Sequence, residues 1–434
     1  MVLAGRDKSA LKIIIFTLSF VANPFRSYGF YIGLNGILIW AMWISLKIKS
    51  LSGYKIRSWR IISSKIIWLY YFLLVGIILG LLNLSYGYDG NSFASPLSQI
   101  FNYSLYILTV ILFIKILIQF RFDFEFHYQL MLVFSLSVLM HLIANVLPAI
   151  GYSNSLPSFL VGNSEITQDL PTSTGIFRFV GLLGDYELIV DYCLIVIGFS
   201  VILYFRKHRI VSIICIIASL LVAIMSGTRS SIIGLVIFTL TYFLTYTLKN
   251  FKLMKIFRII SVCTIILFCF IFAYSQWLHN FKIFNRLEQA YLLYQETGSL
   301  QVAANRDLSD SIPIIIKNTS FLGNGSLFLN TIGGDSMVSH NLLFAIYAKY
   351  GLPGLLLILY LFYSSFRILI RNIKFAKLEF LQKEFIVILS IVMALFFQQM
   401  KVSALRFLPS LLIYTFLFMH IYFLSPRAEI KKNE

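Results

Sequence analysis

Apolar runs of membrane-spanning length recur along this chain from one end to the other. About 20 apolar residues in a helix cross a hydrocarbon core of about 30 Å. About twelve such runs are read here: 10–22, 27–46, 66–84, 98–119, 128–150, 186–205, 210–225, 232–248, 259–277, 341–366, 385–400 and 407–424. Short polar or basic stretches separate most of them. The expected fold is all-α, a polytopic membrane protein of about 12 transmembrane helices. Charged residues make up only 12% of the chain, against roughly 25% in soluble domains, and 59% of residues are hydrophobic. A soluble domain could not hide that much apolar surface.

The formal net charge of +18 would suit nucleic acid if it were gathered on one soluble face. It is distributed otherwise. Lys47, Lys49, Lys55, Arg57, Arg60 and Lys65 follow the second run, Arg206, Lys207 and Arg209 the sixth, and Lys249, Lys252, Lys255 and Arg258 the eighth. Arg367, Arg371, Lys374, Lys377 and Lys383 follow the tenth, and Arg427, Lys431 and Lys432 the last. If the chain alternates sides at each run, these clusters share a side with Arg6, Lys8 and Lys12. Basic residues hold loops in the cytoplasm. Both termini are therefore expected there, and a nucleic-acid partner is not expected. Two long polar loops then fall outside, 151–185 and 278–339. The chain divides into a bundle of nine spans over 1–277, an outer loop over 278–339 before the tenth span, and three further spans over 340–434. Cys193, Cys215, Cys263 and Cys269 all lie within apolar runs without metal-ligand spacing. They read as small membrane-helix residues. The first run reads as a retained helix rather than a cleaved signal.

Three groups on the outer side invite chemistry. His340 precedes the tenth run, in Ser339-His340-Asn341, and Gly351-Leu352-Pro353-Gly354 follows. A helix N-terminus disfavours the imidazolium, so His340 is expected neutral and able to accept a proton. Its other reading is a helix-start histidine bonded to a loop carbonyl. Arg229 lies in the tight turn Ser226-Gly227-Thr228-Arg229-Ser230-Ser231. A guanidinium at a helix N-terminus is an anion site, and an arginine anchoring a turn at the interface is the alternative. Arg178, in Phe177-Arg178-Phe179-Val180-Gly181-Leu182, is a second anion clamp or a partner of Asp185 or Glu187. His127 and His208 fall on the cytoplasmic side. His141 and His420, inside apolar runs, are expected to be packed and hydrogen-bonded. No Asp-x-Asp pair or His/Asp cluster at helical spacing points to a metal, and no cofactor is expected.

Taken together these segments resemble the O-antigen polymerase and ligase family, comprising Wzy-type O-antigen and capsule polymerases and WaaL-type ligases. His340-Asn341 followed by Gly351-x-x-Gly354 is similar to its histidine motif. Arg178-x-x-x-Leu182 resembles its R-x-x-x-L element, and Ser226 to Ser230 its second arginine turn. Ile233 stands four after Arg229 where that pattern has leucine. The resemblance implies a GT-C-like glycosyltransferase of the bacterial cytoplasmic (inner) membrane. Its donor and acceptor would be undecaprenyl-diphosphate-linked glycans, and a flippase and a chain-length regulator would be its protein partners. In that reading His340 is the catalytic base and Arg178 and Arg229 hold the donor diphosphate. Arg406 is a further candidate phosphate contact, Arg306 a candidate for ordering the outer loop, and Asn341 a candidate beside the base. A polymerase moves the growing chain onto a new lipid-linked repeat, and a ligase moves it onto lipid A-core. A lipid-linked oligosaccharide transporter would place charges near the bilayer midplane. Here Lys115, Asp191 and Lys349 are the few charges inside runs. A SEDS-type cell-wall glycosyltransferase lacks support from the histidine motif.

Overall fold

The computed structural model describes residues 2–20, 33–51, 67–83, 96–120, 123–149, 167–169, 177–179, 181–183, 188–226, 228–250, 291–292, 295–296, 298, 319–323, 342–376, 378–399 and 408–430. At several helix ends, and at Arg178 and Arg229, only the backbone is described. The helices in chain order are α1 (Val2–Thr17), α2 (Gly33–Leu51), α3 (Ile67–Asn83), α4 (Pro96–Gln119), α5 (Phe124–Leu136) and α6 (Val138–Ala149). Then come strands β1 (Thr167–Asp169) and β2 (Phe177–Phe179) and a 3-10 turn, Gly181–Leu183. The remaining helices are α7 (Leu188–Phe205), α8 (Arg209–Met225), α9 (Arg229–Asn250), α10 (Leu342–Phe375), α11 (Glu379–Gln399) and α12 (Leu408–Ile430). The chain is a helical membrane protein, with five stretches long and apolar enough to span a bilayer: Ile100–Gln119, Phe124–Leu147, Leu188–Phe205, Leu342–Phe375 and Glu379–Gln398. Helices occupy every expected run except 259–277, which lies outside the described residues. Among the described residues, the small β1–β2 ribbon is the only departure from an all-α chain.

The bundle is organised around α7. From Leu188 to Ser200 every residue is buried, and α7 packs on α5, α8, α9, α11 and α12. A helix apolar on all sides suits that central place. Gly198 brings the backbone of α7 against Ile391 of α11, and Gly234 brings α9 against Gln398 of the same helix. Small residues let membrane helices approach closely. On α8 the pattern has two faces. Ser212, Cys215, Ala218, Ser219, Val222 and Ala223 are buried, while Ile210, Ile213, Ile214, Ile217, Leu221 and Ile224 are exposed. The small residues meet α6 and α7, and the isoleucines form a face suited to lipid.

Two runs are not single straight helices. The fifth breaks at Ser137, whose N–H is shared between the Val133 and Phe134 carbonyls at 3.3 Å each. Its hydroxyl bonds the Phe134 carbonyl at 2.6 Å and meets the Tyr192 hydroxyl at 2.5 Å. Serine bonding back onto its own helix competes with the regular ladder. The tenth continues to Phe375 and breaks at Gly351, with φ 65° and ψ −166°.

Pairing of helix ends agrees with the alternation read from the sequence. Lys49 pairs with Asp7, and Lys8 with Asp123. Arg206 lies 3.6 Å from Glu384 and stacks between the rings of Tyr128 and Phe380, 4.2 and 4.3 Å from their centroids. Tyr128 donates to Glu384 at 2.9 Å. These contacts gather the starts of α1, α5 and α11 with the ends of α2 and α7 at one end of the bundle, the basic end. The ribbon, the 3-10 turn and the start of α9 lie at the opposite end, the loop end.

Candidate functional site

The R-x-x-x-L element begins in β2 and finishes in the 3-10 turn. Arg178 is the central residue of β2, opposite Gln168 in an antiparallel register. Gly181 takes φ 59°, a backbone region open to glycine at little cost. Leu182 is buried in a small apolar cluster with Phe20 and Ala144. Two side chains of α6 take the N–H groups of this turn. Asn145 Oδ1 accepts from Gly181 at 2.8 Å, and His141 Nδ1 accepts from Leu182 at 3.1 Å. Since Nδ1 is an acceptor, the ring proton sits on Nε2, which faces Ser19 Oγ at 2.8 Å. The Tyr192 ring packs on the imidazole with centroids 4.8 Å apart. His141 is therefore packed and hydrogen-bonded, as expected, whereas His420 is packed on His127 and Phe199 but has no hydrogen-bond partner among the described residues. Ser19 sits at the end of α1, where Asn35 of α2 donates to the carbonyls of Leu18 and Phe20 at 3.2 and 3.0 Å.

Arg229 is the first residue of α9, the helix N-terminus anticipated for it. The turn before it is closed by its own hydroxyls. Ser226 Oγ donates to the Ala223 carbonyl at 2.6 Å and meets Thr228 Oγ1 at 3.0 Å. Ser231 Oγ donates to the Thr228 carbonyl at 2.6 Å. All three residues are buried. Strand β2 packs against α8. Helices α6 and α8 both run antiparallel to α7, so β2, two residues from the turn held by Asn145, meets α8 near its final turns. Those turns lead directly into Ser226 and Arg229. The structure thus brings the backbone segments of Arg178 and Arg229 to one end of one helix.

His340, Asn341, Arg306 and Arg406 lie outside the described residues. Leu342, two residues after His340, opens α10 and is buried. The first glycine of the histidine motif, Gly351, has a clear structural basis. At Gly351 the helix breaks and a piece of the long loop docks onto it: the Phe321 carbonyl accepts the Leu352 N–H at 3.0 Å. A Cβ on Gly323 would lie 2.5 Å from the Gly351 nitrogen, so two backbones touch where only glycine fits. Pro353 stands near the start of the second half-helix, where its missing N–H is no loss. Tyr71 donates to the Tyr350 carbonyl at 2.9 Å, satisfying an acceptor freed by the break. Phe72 stacks on Tyr350 at 4.5 Å.

The charges within runs each have their own partners. Asp191 accepts from the Tyr414 hydroxyl at 2.7 Å. Lys349 Nζ lies over the Tyr103 ring at 5.3 Å, and Lys115 Nζ over Trp43 at 5.5 Å. Among the described residues no group of three or more His, Cys, Asp or Glu is arranged to hold a metal. Sequence reasoning missed the part played by Asn145 and the docking of 319–323 on α10. The available signal was the spacing of His141 and Asn145, four apart and so on one face of a membrane helix, where buried polar groups are expensive. Comparison with protein-family models gives no match, and comparison with curated protein sequences gives none.

Proposed function

We propose that this chain is a glycosyltransferase that polymerises polyprenyl-diphosphate-linked oligosaccharide repeats at the outer face of the bacterial cytoplasmic membrane. In this reading it has twelve spans, both termini face the cytoplasm, and the loop end is the outer end. The observation that carries it is the packing of β2 on α8. Two arginine-bearing segments, with Arg178 and Arg229 51 residues apart in sequence, converge at the loop end, and one of them opens a helix. Two guanidiniums there suit a diphosphate, and the α9 N-terminus adds N–H groups of the same polarity.

The chemistry follows from those roles. Arg178 and Arg229 hold the donor diphosphate. His340 takes the proton from an acceptor sugar hydroxyl as that oxygen attacks the donor's anomeric carbon. The bond from that carbon to the diphosphate oxygen breaks, and the electron pair leaves with the diphosphate. The negative charge it gains is balanced by the two guanidiniums, so the scheme needs no metal. The growing glycan passes to the acceptor repeat, and the polyprenyl diphosphate is released.

The test is purified protein with lipid-linked repeats, read by product length, with and without chelator. Wild type is expected to extend chains in both. His340→Ala should remain in the membrane and lose extension by at least about 100-fold, the upper reach of one general base being about 10⁴. Near-normal product length from that variant would refute the assignment. Transfer to lipid A-core in place of a second repeat would make the enzyme a ligase.

A further inference from the structure

We propose that His141 and Asn145 are positioning residues for Arg178, acting through the turn at 181–183. This rests on the reading of Arg178 as a diphosphate clamp and extends it to groups that never touch substrate. The two side chains stand four apart on α6, and both are fully buried. They take the consecutive N–H groups of Gly181 and Leu182. An N–H must find an acceptor when buried, so these bonds fix both the location and the orientation of the turn. A Cβ on Gly181 would lie 2.7 Å from His141 Nδ1 and 3.1 Å from Ile189 Cδ1. The turn is thus seated directly on the imidazole.

Only Val180 separates this turn from β2, and Arg178 lies three residues before Gly181. Anchoring 181–183 therefore sets where β2 leaves the bundle and where the Arg178 Cα stands relative to α8. The imidazole is fixed in turn. Its Nε2 proton goes to Ser19 Oγ, and Ser19 is fastened through the end of α1 to Asn35. Asn145 has a further property. Its Nδ2 is buried with no hydrogen-bond partner among the described residues. An amide oriented only by its oxygen serves the Gly181 N–H at a cost to the bundle, since buried donors without acceptors are unfavourable.

A double-mutant cycle tests the idea in the purified full-length protein with lipid-linked repeats. Its corners are wild type, Asn145→Leu, Arg178→Lys and the double variant, compared at equal amounts of folded protein. Leucine nearly keeps the volume and removes the acceptor. Lysine keeps a charge but loses the fork. Asn145→Leu alone should lower kcat/KM at least about tenfold, chiefly through donor KM. In the Arg178→Lys background it should add less than about twofold, because interacting residues are non-additive. Losses that multiply across the cycle would overturn positioning and leave the clamp intact. Wild-type kcat/KM in Arg178→Lys would overturn the clamp and positioning together. If Asn145→Leu does not reach the membrane, His141→Phe, which keeps a buried ring and removes the acceptor for the Leu182 N–H, runs the same cycle with the same outcomes.

Discussion

At the basic end of the bundle Lys8 meets Asp123, Lys49 meets Asp7, and Arg206 meets Glu384 and Tyr128. At the loop end Asn35, His141 and Asn145 reach backbone groups, and the Phe321 carbonyl reaches the Leu352 N–H. The first set joins charged side chains on different helices. The second joins neutral groups to the main chain of helix ends and loops. Between them lies a layer of phenylalanines, Phe134, Phe199 and Phe416, with ring centroids 5.5 to 5.8 Å apart. His127 and His420 pack on its basic side, and His141 and Tyr192 on the other. The contrast teaches a division of labour. Charge pairs clamp helices and tolerate small shifts, whereas an acceptor aimed at a single N–H fixes the path of a loop. In the proposed function, loop geometry matters where the diphosphate is held, and that is the end where the arginine segments converge.

If the division is real, damage at the basic end should cost stability and spare turnover per folded molecule. The largest effect is expected for Glu384→Ala. Glu384 is 2% exposed, and its loss leaves Arg206 among aromatic faces without its carboxylate partner. Breaking a buried pair from one side costs about 3–5 kcal/mol. Arg206 keeps partial access to solvent, so the lower figure is expected in a denaturant titration. Replacing both residues by leucine should recover most of the loss. A Glu384→Ala protein of normal stability but poor turnover would break the comparison.

Next comes Gly351→Ala. Alanine at φ 65° and ψ −166°, a region essentially confined to glycine, costs about 1–3 kcal/mol, and its methyl would run into the Phe321 carbonyl and the Gly323 backbone. The docked 319–323 segment must shift or detach. Stability is expected to fall by about 2 kcal/mol, with turnover falling further than stability explains. Limited proteolysis of the long loop checks detachment, and unchanged cleavage with wild-type turnover would remove 319–323 from the functional end.

Much of this was legible in the sequence because lipid and core impose the same demand. Nearly every residue in α7 or α8 must be apolar or small whichever surface it meets, so hydropathy alone marks the helices. The local breaks were not marked. Ser137 is one hydroxyl in an apolar run, and the Tyr192 hydroxyl that meets it lies far along the chain. Gly351-Leu-Pro-Gly354 was visible as a motif, but its backbone follows from contact with Phe321 and Gly323, which no local pattern announces. The helix N-terminus at Arg229 could be read from the small residues around it. The hold on Arg178 could not, because it depends on Asn145 and His141 meeting a turn about forty residues away.

The smallest effect separates two roles at the basic end. Asp123 caps α5, accepting the Phe126 N–H at 3.0 Å, and also pairs with Lys8. Partial burial alone would raise its carboxyl pKa, but the Lys8 ammonium and the Phe126 N–H outweigh it and hold the pKa below the ordinary value. The sign is then fixed. A carboxylate with a depressed folded pKa adds stability above its unfolded pKa, about 3.9, and that stability is lost as pH falls through the lower folded value. Asp123→Ala removes cap and charge and should cost about 1 kcal/mol at neutral pH. Asparagine caps about as well as aspartate, so Asp123→Asn removes only the half-buried surface pair, worth a few tenths of a kcal/mol and screened by salt. The difference between wild type and Asp123→Asn should shrink below about pH 4, while the alanine deficit relative to asparagine persists, since the amide does not titrate. If added salt removes the whole alanine deficit at neutral pH, Asp123 acts at the basic end only as a charge, and its cap contributes nothing.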